Sequence, residues 1–253
     1  MDDDPESVAN ENYVSAFIEM SRELDQGSVQ QFDTITATCS GLPSEPYNRL
    51  FVLQAPLPDE FSAAIDWQRD RGEPYWITTT EQTSDIIEQQ LADHGFEHVQ
   101  SQPGMLLEPL DTVPDPVSPA EIGIVRDRDG FDALVDAFAG AFEVSRELTR
   151  QAYSMSFLDH DELELFVGHV DDTPVACGLL FQRDRQAGVY SIGVVDEYRR
   201  QGIGRDMTWA VLETGAKAGC TVGVLQSSEM GRPLYERIGF ETAVTYHQFG
   251  RPH

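Results

Sequence analysis

The stretch VYSIGVVDEYRRQGIGR, residues 189–205, decides how this chain is read. Val189, Ile192, Val194 and Val195 give it buried-strand composition, Asp196 and Glu197 end the apolar run, and Arg199-Arg200-Gln201-Gly202-Ile203-Gly204 opens a helix. The order is strand, glycine loop, helix. Backbone N–H groups in a first helical turn have no intrahelical partner, and glycine lets a ligand come close to them. A phosphate or pyrophosphate can therefore lodge there against the positive end of the helix dipole. Arg199, Arg200 and Arg205 add positive charge at that point. Taken alone, R-x-x-G-x-G fits a tight turn equally well.

Two downstream features narrow the reading. A second apolar run, Thr221 to Leu225, follows the helix, and after Ser227-Ser228-Glu229 comes a short helical segment carrying Leu234-Tyr235 and ending in Gly239-Phe240. Strand, R-x-x-G-x-G, helix, strand and L-Y-x-x-x-G-F at these separations resemble the GNAT superfamily of acyl-CoA-dependent N-acetyltransferases, over the C-terminal half from Glu121 onward. The resemblance implies acetyl-CoA as cosubstrate, its pyrophosphate on the glycine loop and its pantetheine arm between two splayed strands. It also implies that Val194 offers backbone hydrogen bonds to that arm and to the thioester oxygen. The implied cofactor contacts are Val194, Val195, Arg199, Arg200, Gln201, Gly202, Ile203, Gly204, Arg205, Ser228 and Tyr235. Ser228 stands where the family commonly has Asn, so a contact there is shorter or bridged by water.

Composition bounds the rest. The 253 residues, 40% of them hydrophobic, suffice for one large domain or two small ones. Asp and Glu number 44 against 17 Lys and Arg, a net charge of -27, and Lys217 is the single lysine. Such a load repels itself at low ionic strength, whereas molar salt shortens the Debye length to about 3 Å. The acids are spread along the chain instead of blocked in one tail, which points to a salt-adapted cytoplasm over an acidic binder of basic partners. No basic stripe outside the glycine loop suggests nucleic acid, and no apolar run suggests a membrane. The acidic N-terminus lacks the basic and apolar regions of a signal peptide. Cys39, Cys177 and Cys220 are odd in number and widely spaced, as expected of reduced, packed thiols.

The expected organisation is α/β (α+β), with two GNAT-like mixed-sheet halves and the strand, glycine loop and helix in the C-terminal one. Residues 1–10 read as a disordered acidic tail, 11–110 as a degenerate N-terminal domain, 111–120 as a linker and 121–253 as the catalytic domain. In the first half, residues 12–24 have helical apolar spacing, 30–40 is ambiguous, and 49–54 reads as a strand. Pro58-Asp59-Glu60 leads into a helix carrying Phe61, Ala64 and Ile65; Tyr75 to Thr78 is a strand, and Glu88 to His94 a short helix ended by Gly95-Phe96. This order matches Val189 to Phe240, with Leu91-x-x-x-Gly95-Phe96 beside Tyr235-x-x-x-Gly239-Phe240, and reads as an internal duplication. The first copy lacks the glycines and is not expected to bind cofactor. The alternative is an unrelated α/β domain with a common helix cap. Pro114, Pro116 and Pro119 mark the linker. After it come a strand from Ile122, a helix with Phe131, Leu134, Val135, Phe138 and Phe142, a second helix from Arg146 to Phe157, and strands over 163–170 and 174–182 joined at Asp171-Asp172-Thr173.

Acyl transfer to an amine needs an unprotonated nucleophile, a stabilised oxyanion and a protonated leaving thiolate. By the resemblance, Tyr235 lies beside the cofactor sulfur and is the candidate acid, with a core tyrosine as the alternative role. Ser228 either touches pantetheine or caps a helix starting at Glu229. The base stays open among Glu143, Asp159, Asp161, Glu162 and Ser191, each acid also fitting a solvated surface group. His94 and His98 straddle Gly95-Phe96, which breaks the helix that would align them, so no metal is expected. The resulting expectation is an N-acetyltransferase working by direct transfer to a small-molecule or peptide amine, oligomeric state open. The alternative is an acyl-CoA-binding regulatory or scaffold protein without turnover. An NAD-type domain fits poorly, because G-x-G-x-x-G is absent.

Overall fold

The computed structural model describes residues 4–57 and 59–252. In chain order the first half forms α1 (Pro5–Arg22), β1 (Ser28–Gln31), β2 (Thr36–Cys39), β3 (Arg49–Val52), α2 (Glu60–Arg69), β4 (Trp76–Thr80), α3 (Glu81–Asp93) and β5 (Glu97–Leu107). The second half forms β6 (Glu121–Ile124), α4 (Arg128–Phe142), α5 (Arg146–Ala152), β7 (Leu163–Val170), β8 (Thr173–Arg183), β9 (Gln186–Val194), α6 (Ile203–Lys217), β10 (Val222–Gln226), α7 (Arg232–Ile238) and β11 (Glu241–Gly250). The fold is mixed α/β, as the strand and helix patterns predict.

The chain divides into two compact units. One holds the residues up to Gly104 together with Ser227–Glu229 and those from Thr242 on; the other holds Met105–Gln226 and Met230–Glu241. In the first unit the strand order is β1-β2-β3-β4-β11-β5. β3 and β4 run parallel, and β11 lies antiparallel to β4 with Gln248 opposite Thr78. One face of these strands packs Leu50, Val52 and Ile77 against Ile65, Ile87 and Leu91 of α2 and α3. On α1, Tyr13 and Phe17 meet Phe51, and Tyr13 meets Tyr246, at ring separations of 5.0–5.5 Å. Tyr13, Phe51 and Tyr246 are buried, and each contributes about 2 kcal/mol from area removed from water.

In the second unit the order is β10-β9-β8-β7-β6, with β10 and β9 parallel and the remaining pairs antiparallel. Its core joins Leu180, Val189, Ile203, Met207, Val211, Leu212, Leu225, Tyr235 and Phe240. Asp171 and Asp172, with φ of 48° and 64°, make the tight turn between β7 and β8 that the sequence predicts.

Several expectations need correction. Residues 5–10, expected to be disordered, are helical: Pro5 occupies the first turn, Glu6 complements the dipole, and Val8 and Ala9 are buried. The first three residues of that tail, Pro58 and His253 lie outside the described residues. The ambiguous 30–40 stretch contributes two short strands, β1 and β2. α3 starts seven residues earlier than Glu88, because Thr80 and Thr83 form a reciprocal capping box. The helix expected to reach Phe157 stops at Ala152, where Tyr153 turns extended (φ -124°) and buries its ring 5.0 Å from that of Phe138. α7 begins at Arg232 behind Gly231, so Ser228 is not its cap.

Candidate active site

In the second unit a gap opens between β9 and β10. β9 pairs with β10 from Gln186 to Gly188, and the two strands then continue without pairing, to Val194 and Gln226. A bulge causes part of the divergence. Cys177 faces Gly193 and Leu179 faces Tyr190, so Ser191 and Ile192 stand opposite Gly178 alone, with Ser191 at φ 56°. The Tyr153 and Ser191 hydroxyls hydrogen-bond at 2.5 Å. Cys177 donates to the Ser191 carbonyl at 3.4 Å, and burial pushes its thiol up to about 12.

At the end of β9 the Val195 N–H donates to the Val175 carbonyl at 2.9 Å, so the Val194 carbonyl, across the same trans peptide, points away from β8. It accepts from Arg199 Nε at 2.9 Å, while Arg199 also donates to the Ala141 carbonyl at 3.1 Å and pairs with Asp196. The Val194 N–H shares the carbonyl's side of an extended strand and faces the gap. Arg199 thus spends these donors on fixing the strand end. Arg200 is exposed at φ 64°, and Gln201 donates to the Glu197 carbonyl at 3.4 Å.

Gly202 is the N-cap of α6, at φ 87°, and no side chain caps the helix. The N–H groups of Ile203, Gly204 and Arg205 are therefore left for an external acceptor, which fits a pyrophosphate. A Cβ on Gly204 would lie 3.6 Å from Val194 and 3.7 Å from Leu234, which brings the start of α7 beside the glycine turn. On α7, Tyr235 is 9% exposed, packs edge-on to Phe240 at 5.9 Å, and has its phenol pushed up to about 12 by burial. Ser228 falls in the short segment that groups with the first unit.

Sequence reasoning passed over two features. The proline-rich segment is docked on α6: Val117 and Ser118 N–H donate to Asp206 Oδ2 at 2.8 and 2.7 Å, and Asp206 Oδ1 pairs with Arg205 at 2.7 Å. Burial alone would raise the Asp206 carboxyl, but the Ser118, Val117 and Arg205 donors outweigh it and hold the group below its ordinary value. The second is Tyr153 behind Ser191. No local signal marks either, because the partners are 38 to 89 residues apart. Among the base candidates, Glu162 is bound by Arg183 through both oxygens, at 2.8 and 2.5 Å, and that guanidinium holds its carboxyl below the usual range. Glu143 is the exposed left-handed cap of α4, and Asp159 and Asp161 are exposed. Among the described residues no group of three or more His, Cys, Asp or Glu could hold a metal ion, and no helix is long and apolar enough to cross a membrane.

Residues 131–240 match the model of the acetyltransferase (GNAT) family. A GCN5-related N-acetyltransferase from Kribbella flavida superposes with a TM-score of 0.69 at 18% identity, covering 97% of this chain and 96% of its own. A functionally unknown conserved protein from Staphylococcus epidermidis ATCC 12228 gives 0.62 at 16% identity, covering 91% and 96%. A GCN5-related N-acetyltransferase from Sphaerobacter thermophilus gives 0.60 at 19%, covering 87% and 78%. No curated protein matches the chain. Apart from residues 227–229, the family match falls within the second unit, and the solved structures share the fold of the chain.

Proposed function

We propose that the second unit transfers an acetyl group from acetyl-CoA to a primary amine, by direct attack in a ternary complex without a covalent enzyme intermediate. The observation that carries this reading is the divergence of β9 from β10 beside the uncapped start of α6. In this reading Ile203, Gly204 and Arg205 give their first-turn N–H groups to the pyrophosphate, with Arg200 and Gln201 at the rim. Val194 offers its N–H to the pantetheine arm and the acyl oxygen, with Val195 fixing the strand end through Val175. Acetyl-CoA, when bound, supplies the activated acyl group and a thiol leaving group. Tyr235 keeps its proton throughout the working range because burial holds its phenol near 12. Against a thiolate whose conjugate acid is near 8.5, by analogy with cysteine, full proton transfer is uphill by roughly 5 kcal/mol. Tyr235 therefore stabilises the departing sulfur mainly by donating a hydrogen bond, and the proton released by the amine completes neutralisation. Ser191, with Tyr153 behind it, lies on the open strand and can relay that proton through water.

The halves read as tandem copies. β3-α2-β4-α3 repeats β9-α6-β10-α7, and Gly95 and Gly239, at φ 74° and 113°, end the last helix of each. Phe96 N–H donates to the Leu91 carbonyl and Phe240 N–H to the Tyr235 carbonyl, so the two caps are built alike. α2 starts with Asp59 and Glu60 where α6 starts with Gly202 and Ile203, and two acids repel a phosphate, which supports a first half without cofactor. The three free, buried cysteines and the charge of -27 accord with a reducing, salt-rich cytoplasm.

The test incubates the purified chain with acetyl-CoA and a panel of small and peptide amines in molar salt, following thiol release. Release that depends on amine and falls about 100-fold in Tyr235→Phe supports the transferase. Tight coenzyme A binding with no release under any amine supports the acyl-CoA-binding regulator instead.

A further inference from the structure

The first unit carries a buried cation, Arg49, that no carboxylate among the described residues neutralises. Along β3, Leu50 and Val52 pack into the core under α2 and α3, while Arg49 and Phe51 point the other way, toward α1. Arg49 is 5% exposed, and its guanidinium lies 5.4 Å from the ring centre of Phe17 and 4.6 Å from that of Trp76. Its Nη1 donates to Gln248 Oε1 at 2.7 Å, an amide oxygen that also accepts from Thr78 Oγ1 at 2.7 Å. Among the described residues no carboxylate forms an ion pair with Arg49, and its buried Nε has no hydrogen-bond partner. Directly opposite Arg49 in the β2–β3 register stands Thr38, fully buried, and its hydroxyl also lacks a partner. Residues paired across antiparallel strands project from the same face, with Cβ atoms about 5 Å apart. An unpaired charge in such a setting is costly, and so is each orphaned donor.

We propose that Arg49 and Thr38 form an internal site for one small monovalent anion of the halide class, chloride under ordinary conditions. Water could satisfy the two donors but would leave the charge uncompensated. A carboxylate or phosphate would bring further oxygens that Phe17, Phe51 and Trp76 cannot satisfy, whereas a halide has no directional demands. Desolvation lowers the Arg49 pKa, the direction expected of a buried cation without a counter-charge. Since the anion binds the folded unit and has no site in the unfolded chain, chloride stabilises the protein by mass action, separately from screening.

The experiment soaks crystals of the full chain in sodium bromide and measures anomalous diffraction at the bromine edge, alongside thermal melts in which sodium gluconate replaces sodium chloride at constant ionic strength. The expected results are an anomalous peak in contact with Arg49 Nε and Thr38 Oγ1, and a melting temperature that rises saturably with chloride. Arg49→Met loses the chloride-specific shift. Thr38→Val, which keeps the shape and stays informative if the arginine variant fails to fold, raises the half-saturating chloride concentration several-fold. No bromide peak at Arg49, or equal melting in the two salts at every mixing ratio, overturns the proposal.

Discussion

At the scale of single residues, Tyr235 and the two loop glycines carry the sharpest consequences. A phenol raised to about 12 stays protonated across the ordinary pH range, so the proposed transferase activity should show no alkaline limb from Tyr235 below pH 10. The sign for stability follows from the same shift. The contribution is fully present below the unfolded phenol value near 10 and is lost as pH rises toward 12. Unfolding midpoints of wild type and Tyr235→Phe between pH 9 and 11.5 check this: the wild type should lose stability faster, and parallel curves would contradict the assignment. The glycines differ in kind. Gly202 sits at φ 87°, and a Cβ there would meet Val117 at 3.1 Å, whereas Gly204 has ordinary space. Gly202→Ala should cost about 1–2 kcal/mol in urea unfolding, and Gly204→Ala should fold like wild type. Replacing either by Glu should abolish coenzyme A binding, measured by calorimetry, because a carboxylate would occupy the place of the phosphates. Unchanged affinity in both would falsify the loop assignment.

At the scale of elements, two buried acids tie loops to helix starts. Asp206, 3% exposed at the side chain, clasps the proline-rich segment to α6 through two backbone amides and Arg205. Asp206→Asn removes a charged acceptor of three donors and should cost about 1–3 kcal/mol. Because the folded carboxyl lies below its ordinary value, this contribution is complete above the unfolded value near 3.9 and disappears as pH falls through the lower folded one. The stability gap between the two proteins in chemical unfolding should therefore be full at pH 7 and narrow progressively as pH is taken below about 3.9. In α2, Glu60 accepts from Thr34 Oγ1 and from the N–H groups of Thr34, Ile35 and Leu57 at 2.6–3.1 Å. Glu60→Gln replaces one acceptor oxygen by a donor and should cost a similar amount, with faster hydrogen exchange at Thr34 and Ile35. Equal exchange rates would show that this loop is held by something else.

At the scale of the whole molecule the dominant quantity is the charge of -27. Removal of salt should lower the melting temperature steeply, since unscreened carboxylates repel across distances of about 30 Å at 0.01 M, and an unchanged melt between dilute buffer and molar salt would contradict this. What the sequence by itself determined is the local grammar. Gly202 and Gly239 take left-handed φ because glycine pays no Cβ penalty there, and the apolar runs on either side of Asp171-Asp172-Thr173 make paired strands. These features depend on neighbours within a turn or a strand repeat, so they are legible in one dimension. Only the tertiary structure decided that β11, last in the chain, pairs with β4 in the first unit, that Asp206 holds a segment 88 and 89 residues away, and that Arg49 finds Gln248 across 199 positions. Those choices rest on which polar groups lose their water together on folding. Such pairing is a property of the folded sheet faces, and no spacing along the chain records it.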